Sequence, residues 1–126
     1  MLTGGTEILI GLSQDPVFGP LVAFGLGGIH VELFRDVAFR MAPLTDRDAD
    51  EMIRSIRGFA LLEGYRNQPP VDVRAIRDVL LKISYLGAEI PELVELEFNP
   101  VVALAAGRGC QIVDVRARVA PAPSRR

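Results

Sequence analysis

Two carboxylates, an amide and a guanidinium stand at alternate positions in two short segments, ELEFNP and IVDVR: Glu97, Asn99, Asp114 and Arg116. Glu97, Asn99 and Asp114 all offer hard oxygen donors. Mg²⁺ is usually held by one or two carboxylates, with phosphate oxygens and water completing an octahedron. Arg116 beside them has the charge and the planar donors to meet a phosphate or a developing negative charge. The same residues also describe the solvated face of an amphipathic hairpin, with Glu97 and Arg116 as an ordinary cross-strand ion pair. Spacing by itself leaves both readings open.

Which reading holds depends on the elements that carry these residues. In a strand, alternate side chains share a face. Glu95, Glu97 and Asn99 then lie together, with Leu96 and Phe98 on the core side. On the return strand, Asp114, Arg116 and Arg118 oppose Val113 and Val115. A two-residue turn near Ala106–Arg108 sets Asn99 across from Asp114 and Glu97 across from Arg116, whereas a slip of one residue puts the two polar sets on opposite faces. Pro100 biases Asn99 toward an extended backbone and removes an amide donor, so the ladder is expected to break beside the cluster.

The rest of the chain reads as strands, then helices. Glu7–Leu12 is a short strand, and SQDPVFGP after it is a rigid loop packed by Val17 and Phe18, where Pro16 and Pro20 deny two donors. LVAFG is a second strand, followed by Gly25, Gly27 and Gly28. IHVELF (29–34) and DVAFRM alternate in hydrophobicity, so 29–41 is expected to form an antiparallel pair. Thr45 caps a first helix with Asp46 and Asp48 in its first turn, where negative charge suits the helix dipole. Its apolar stripe is Ala49, Met52, Ile53, Ile56, Phe59 and Ala60, and Gly64 ends it. Asp72 caps a second helix with the stripe Ile76, Val79, Leu80, Ile83 and Leu86, stopped by Pro91. The order predicts an α+β fold, a mostly antiparallel sheet with two helices packed on it. The domain is expected over 1–119, with 120–126 as a frayed tail.

Composition removes several function classes. The net charge of −2 gives no clustered basic surface for nucleic acid. No apolar run approaches a membrane span of about 18 residues. With neither a signal peptide nor a disulfide to suggest export, the expected setting is the cytoplasm. The lone Cys110 rules out an internal disulfide and a cysteine zinc site, and reads as a small buried residue. GLGG lacks the helix start that a phosphate-binding glycine loop needs, because a strand pattern follows it. His30 is the single histidine and has no supporting cluster for nucleophilic catalysis. Glu32 shares a face with His30, and Lys82 sits on the second helix as a solvated lysine.

In this order, DPVFGP, GLGGIHVE and EFNP followed by VDVR resemble the ATP-grasp domain of the NDP-forming acyl-CoA synthetases, such as acetate–CoA ligase (ADP-forming) and the succinyl-CoA synthetase relatives. The resemblance runs over about residues 3–118. It implies an ATP-grasp C-terminal lobe with ATP or ADP and Mg²⁺ as cofactors. Asn99 and Asp114 fall where the family places its Mg²⁺ ligands, with Glu97 beside them, and Glu7 of GGTE falls where an acidic residue holds the ribose. Arg116, by its place on the same strand face, is the expected nucleotide contact beside them. The family's first lobe with its nucleotide lysine, its CoA-binding domains and its phosphohistidine domain have no counterpart here. A partner chain or domain is therefore expected to supply them, and the isolated chain is expected to be inactive. The alternative is a non-catalytic remnant or interaction module that keeps the lobe fold.

Overall fold

The computed structural model describes residues 5–27, 36–64 and 67–121 of the 126. Six strands form one sheet: β1 (Thr6–Asp15), β2 (Gly19–Leu26), β3 (Val37–Met41), β4 (Leu93–Ala103), β5 (Cys110–Ile112) and β6 (Val115–Val119). They run in the order β3-β2-β1-β4, with β5 and β6 end to end along the far side of β4, and every pairing is antiparallel. Helices α1 (Asp46–Ser55), α2 (Phe59–Leu62) and α3 (Val73–Glu89) complete the α+β fold.

Alternation along β1 and β2 turns Ile8, Ile10, Leu12, Val22, Phe24 and Leu26 toward the helices. There they meet Met52 and Ile53 of α1 and Ile76, Leu80 and Ile83 of α3. Each large side chain buried in this way contributes about 1.5–3 kcal/mol, so one shared core fixes both helices to one face. Among the described residues, no helix packs on the opposite face.

Both expected N-caps form. The Thr45 hydroxyl accepts from Asp48 N at 3.0 Å while the Asp48 carboxylate accepts from Thr45 N at 2.9 Å, a reciprocal capping box. Asp72 Oδ1 accepts from Ala75 N at 3.1 Å.

Three expectations are corrected. The first helix does not continue through Phe59 and Ala60: α1 stops at Ser55, Ile56 turns extended, and α2 starts afresh. The cause is Asp36, only 8% exposed, whose carboxylate accepts from Arg57 N and Gly58 N at 2.6 Å each. Those two amides are held out of the helical ladder. A Cβ on Gly58 would lie 2.4 Å from Leu26 Cδ1, so a bare backbone is needed at the crossing. The loop SQDPVFGP shrinks to a tight hairpin turn, because β1 runs on to Asp15 and Pro20 joins β2 opposite Gln14. Pro20 takes part through its acceptor, receiving Ala42 N at 2.8 Å. Val17 and Phe18 do not pack the turn but stand 81% and 61% exposed at its tip. Asp15 Oδ1 stiffens it instead, accepting from Val17 N and Phe18 N. Of the expected pair over 29–41, DVAFRM forms β3 against β2, whereas IHVELF lies outside the described residues, as do 122–126 of the tail.

Asp72 also closes the far end of the fold. Its Oδ2 accepts from Gly109 N at 2.8 Å and Gly107 N at 3.1 Å, pinning the loop after β4 to the start of α3. The Gly109 and Ala75 amides hold its carboxyl below the usual range. Burial, with Asp72 nearby, pushes the adjacent half-buried Cys110 thiol up to about 11, in keeping with an inert packing cysteine.

Asp36→Ala leaves two amides unpaired beside the core and is expected to lower the unfolding free energy by about 2–4 kcal/mol in urea. Asp72 has a folded pKa below its unfolded value of about 3.9, so its stabilising effect is present above that pH and fades as pH falls through the folded value. The stability gap between the wild type and Asp72→Asn, followed by urea denaturation, should be constant above about pH 5 and narrow below about pH 4.

Candidate metal and nucleotide site

β4 lies between β1 on one side and β5 and β6 on the other, and its backbone is irregular at Asn99–Pro100 on both sides. Toward β1, Ile8 pairs with Val101 but Ile10 with Phe98, so β4 carries one extra residue opposite Leu9. That is a β-bulge. Toward the return strand, Val113 and Asp114 separate β5 from β6. Two bonds bridge the gap: Asn99 N donates to Asp114 O, and Val113 N to Pro100 O, both at 3.1 Å. The ladder is therefore interrupted beside the polar cluster, as the missing Pro100 donor leads one to expect.

The expected register holds. Glu97 pairs with Arg116 and Phe98 with Val115, which places Asn99 opposite Asp114. The connection is longer than the expected two-residue turn, spanning Leu104–Gly109. It closes with Leu104 N donating to Gly109 O, and it is drawn toward the helix side by Asp72 and by Ala106 N donating to Pro70 O. Equal lengthening on both strands leaves the pairing unchanged.

Glu97, Asn99, Asp114 and Arg116 together line a recess of about 170 Å³. Asn99 Nδ2 donates to Glu97 Oε2 at 3.2 Å, which leaves Oδ1 as the free end of the amide. Asp114 and Arg116 are exposed, while Glu97 and Asn99 are partly buried. Among the described residues Arg116 forms no ion pair, so the ordinary Glu97–Arg116 bridge is not made. No group of three or more His, Cys, Asp and Glu side chains assembles among the described residues. Two carboxylates with one amide oxygen are a donor set for a hard cation that keeps water or phosphate in its shell, not for a closed all-protein cage.

Glu97 and Arg116 also line a second hollow, on the sheet face where no described helix packs. There a shallow depression of about 510 Å³ has Leu9, Leu21, Ala23 and Phe39 around Gly11, with Glu95, Glu97, Arg116 and Arg118 along its far side. Glu7 is exposed on β1 opposite Val102, and alternation puts it on the same face as Leu9 and Gly11, although it lines neither hollow. The structure thus gathers Glu97, Asn99, Asp114 and Arg116 and leaves Glu7 apart. Lys82 is exposed on α3, as expected. Gly25 and Gly27 serve close backbone contact, since Cβ atoms there would meet Asp36 O at 2.7 Å and Ile8 C at 3.1 Å. Gly28, His30 and Glu32 lie outside the described residues. Sequence reasoning passed over the Glu95–Arg118 pair, made at 2.9 Å, although the register that joins Glu97 to Arg116 implies it.

Residues 1–119 match the model of the ATP-grasp domain family, and the chain belongs to that family. It is 43% identical over 116 residues to acetate–CoA ligase [ADP-forming] I of Archaeoglobus fulgidus, covering 92% of this chain but 17% of that protein. It is 48% identical over 103 residues to acetate–CoA ligase [ADP-forming] I subunit beta of Pyrococcus furiosus, covering 82% of this chain and 44% of the subunit. A solved structure of dinucleotide forming acetyl-coenzyme A synthetase 1 from Ca. Korarchaeum cryptofilum, in complex with coenzyme A and Mg-AMPPCP, superposes with a TM-score of 0.88 at 47% identity. That match covers 92% of this chain and 54% of the other. The chain therefore spans between a sixth and about half the length of these relatives. No helix among the described residues is long and apolar enough to cross a membrane.

Glu95 and Arg118 are 56% and 60% exposed, so their pair should be weak despite its geometry. A double-mutant cycle with Glu95→Ala and Arg118→Ala is expected to give a coupling below about 1 kcal/mol that shrinks as salt is added.

Proposed function

We propose that this chain is the Mg-nucleotide-binding lobe of an NDP-forming acyl-CoA synthetase. In the full reaction, acyl-CoA, phosphate and ADP interconvert with carboxylic acid, CoA and ATP. Domains beyond this lobe, on the same or another chain, supply the second wall of the nucleotide cleft, the CoA site and the phosphohistidine. A single cysteine without a disulfide partner suits a reducing compartment, and the cytoplasm is the proposed setting.

The observation that carries the reading is the convergence of Glu97, Asn99 and Asp114 in one recess, with the Asn99 amide oriented by its bond to Glu97. Asn99 Oδ1 and the Asp114 carboxylate are the proposed Mg²⁺ ligands, with Glu97 completing the acidic wall. When bound, the metal neutralises charge on the phosphates; phosphoryl transfer in such sites is mostly positioning and charge stabilisation. Arg116, which makes no ion pair among the described residues, is the proposed contact to a phosphate oxygen, for which a planar guanidinium is suited. Glu7, exposed farther along the same face, is the proposed ribose contact. The Korarchaeum relative, solved with Mg-AMPPCP, supports a Mg-nucleotide role for this lobe.

The test is an NMR titration of the labelled chain with ATP, with and without Mg²⁺, alone and with a chain that supplies the missing lobe. Mg-dependent shifts are expected at the Asn99 and Asp114 amides, weak for the chain alone. Asp114→Asn should weaken Mn²⁺ binding, read by paramagnetic broadening, by about tenfold or more. If no Mg-dependent shift arises in either setting, the lobe is a remnant or interaction module instead.

A further inference from the structure

The helix layer is narrower than the sheet it covers. A helix with its side chains is about 10–12 Å across and neighbouring strands stand about 4.8 Å apart, so one helix roofs roughly two strands. α1 lies over β3 and β2, and α3 over β2, β1 and the near side of β4. At the usual spacing of about 8–10 Å between helix axes, the next place in the layer falls over β4 and the β5–β6 edge. Among the described residues no helix stands there.

The side chains beneath that place are aliphatic. Residues directly opposite on neighbouring strands share a face. Ile112 pairs with Val101, Val115 with Phe98, Ala117 with Leu96 and Val119 with Leu93, and all four of these β4 residues pack in or against the core. The row Ile112, Val115, Ala117 and Val119 therefore faces the helix side. Yet Val115 and Val119 are 51% and 71% exposed. On α3, Arg77 reaches Asp50 at 3.6 Å and Ser84 Oγ accepts from Leu44 N at 2.7 Å, which marks the flank toward α1. At about 100° per residue, Val79 and Leu86 stand on the other flank, and both are only partly buried. The shelf thus has an aliphatic floor on β6 and an aliphatic wall on α3.

Two copies of this chain fit poorly at this edge. Pairing β6 with β6 about a two-fold axis at Ala117 sets Arg116 opposite Arg118 twice, and like charges directly opposite are destabilising. From Ile112 to Val119, at about 3.3 Å per residue and one helix across, the shelf offers roughly 250 Å². That is well short of the roughly 800 Å² per partner of a stable complex, so whatever covers it needs a second anchor. The chain covers 44% of the Pyrococcus subunit and 54% of the Korarchaeum chain, so both relatives hold a comparable length of polypeptide outside the matched stretch.

We propose that this shelf seats an amphipathic helix of the polypeptide that completes the lobe, on the same or another chain, packed beside α3 with its aliphatic stripe on Val115, Ala117 and Val119. The occupant rests on the reading that further polypeptide supplies the second wall of the nucleotide cleft. Such a helix grips the sheet from the face opposite the nucleotide, so the two walls stay joined when the cleft opens, and two points of attachment bind more tightly than either alone.

The test titrates the methyl-labelled chain with the part of the Pyrococcus furiosus subunit beta outside the stretch matched here, made as a separate polypeptide. Backbone spectra of both polypeptides and of each variant confirm their folds. The Leu86, Val115 and Val119 methyls are expected to shift on binding. Val119→Asp should weaken binding by about tenfold or more and Val119→Thr by about threefold, while Val119→Leu stays within about twofold of wild type. The docking is overturned if the polypeptide binds with those methyls unmoved, if Val119→Asp binds as tightly as wild type, or if nothing binds at millimolar concentration. Broadening of the same methyls as the chain alone is concentrated, abolished by Val119→Asp, assigns the shelf to a second copy and overturns it too. ATP and Mg²⁺ are left out of this titration, so a failure here is read apart from a failure of the Mg-nucleotide reading at Asn99 and Asp114.

Discussion

The missing N–H of Pro100, set in the middle of the strand that pairs on both sides, is the constraint on which the rest of the site depends. A proline inside a sheet is tolerated at a bulge and almost nowhere else. β4 meets that condition by carrying one extra residue against β1 and by facing a two-residue gap between β5 and β6. The gap brings Asp114 opposite Asn99, joined through Asn99 N and Asp114 O. A regular ladder at this point would have made one continuous return strand. The bulge instead makes the recess that Glu97, Asn99, Asp114 and Arg116 share.

Around that irregular centre, the surrounding structure is held by carboxylates that accept backbone amides. Asp36 takes two amides at the break between α1 and α2, Asp72 takes three at the start of α3 and the loop after β4, and Asp15 takes two at the first hairpin. Asp48 closes a capping box. These acidic side chains have their acceptors filled by the fold. Asp114 differs: its carboxylate accepts no hydrogen bond from the described residues, although it stands in a polar hollow. Other exposed acids of the chain also accept no hydrogen bond among the described residues; what sets Asp114 apart is that its unused acceptors line a hollow shared with Glu97, Asn99 and Arg116.

That distinction also explains what could be read from the sequence. Strand alternation, both helix caps and the pairing of Glu97 with Arg116 follow from local chemistry and a period of two, so they were legible. The break after Ser55 was not, because the apolar stripe runs on through Phe59 and the cause lies in Asp36, some twenty residues away in the chain. Likewise the loop after β4 takes its length from Asp72, on another element. The packing expected of Val17 and Phe18 failed for a related reason: apolar character marks them as candidates for burial, but the Asp15 turn and the length of the hairpin carry them outward. That Glu97, Asn99, Asp114 and Arg116 share one face was legible from alternation and register; the bond between Asn99 and Glu97 was not.

The charges of the recess make the metal the condition for nucleotide binding under the proposed function. Glu97 and Asp114 contribute two formal negative charges against one positive charge on Arg116. A polyphosphate approaching that wall without a cation meets net repulsion, at separations within the roughly 8–10 Å over which exposed charges still interact in physiological salt. A divalent ion reverses the sign. Under that proposal, Asn99 and Asp114 would hold the ion, which would supply positive charge toward the phosphate, and Arg116 would then add attraction instead of merely offsetting an acid. The apolar floor beside the recess, with Gly11 at its centre, offers area but little polarity, so it cannot supply that reversal. Under the proposed function, one lobe would bring the metal ligands, and through the metal the affinity for phosphate, while a second wall would exclude water and strengthen each of those contacts.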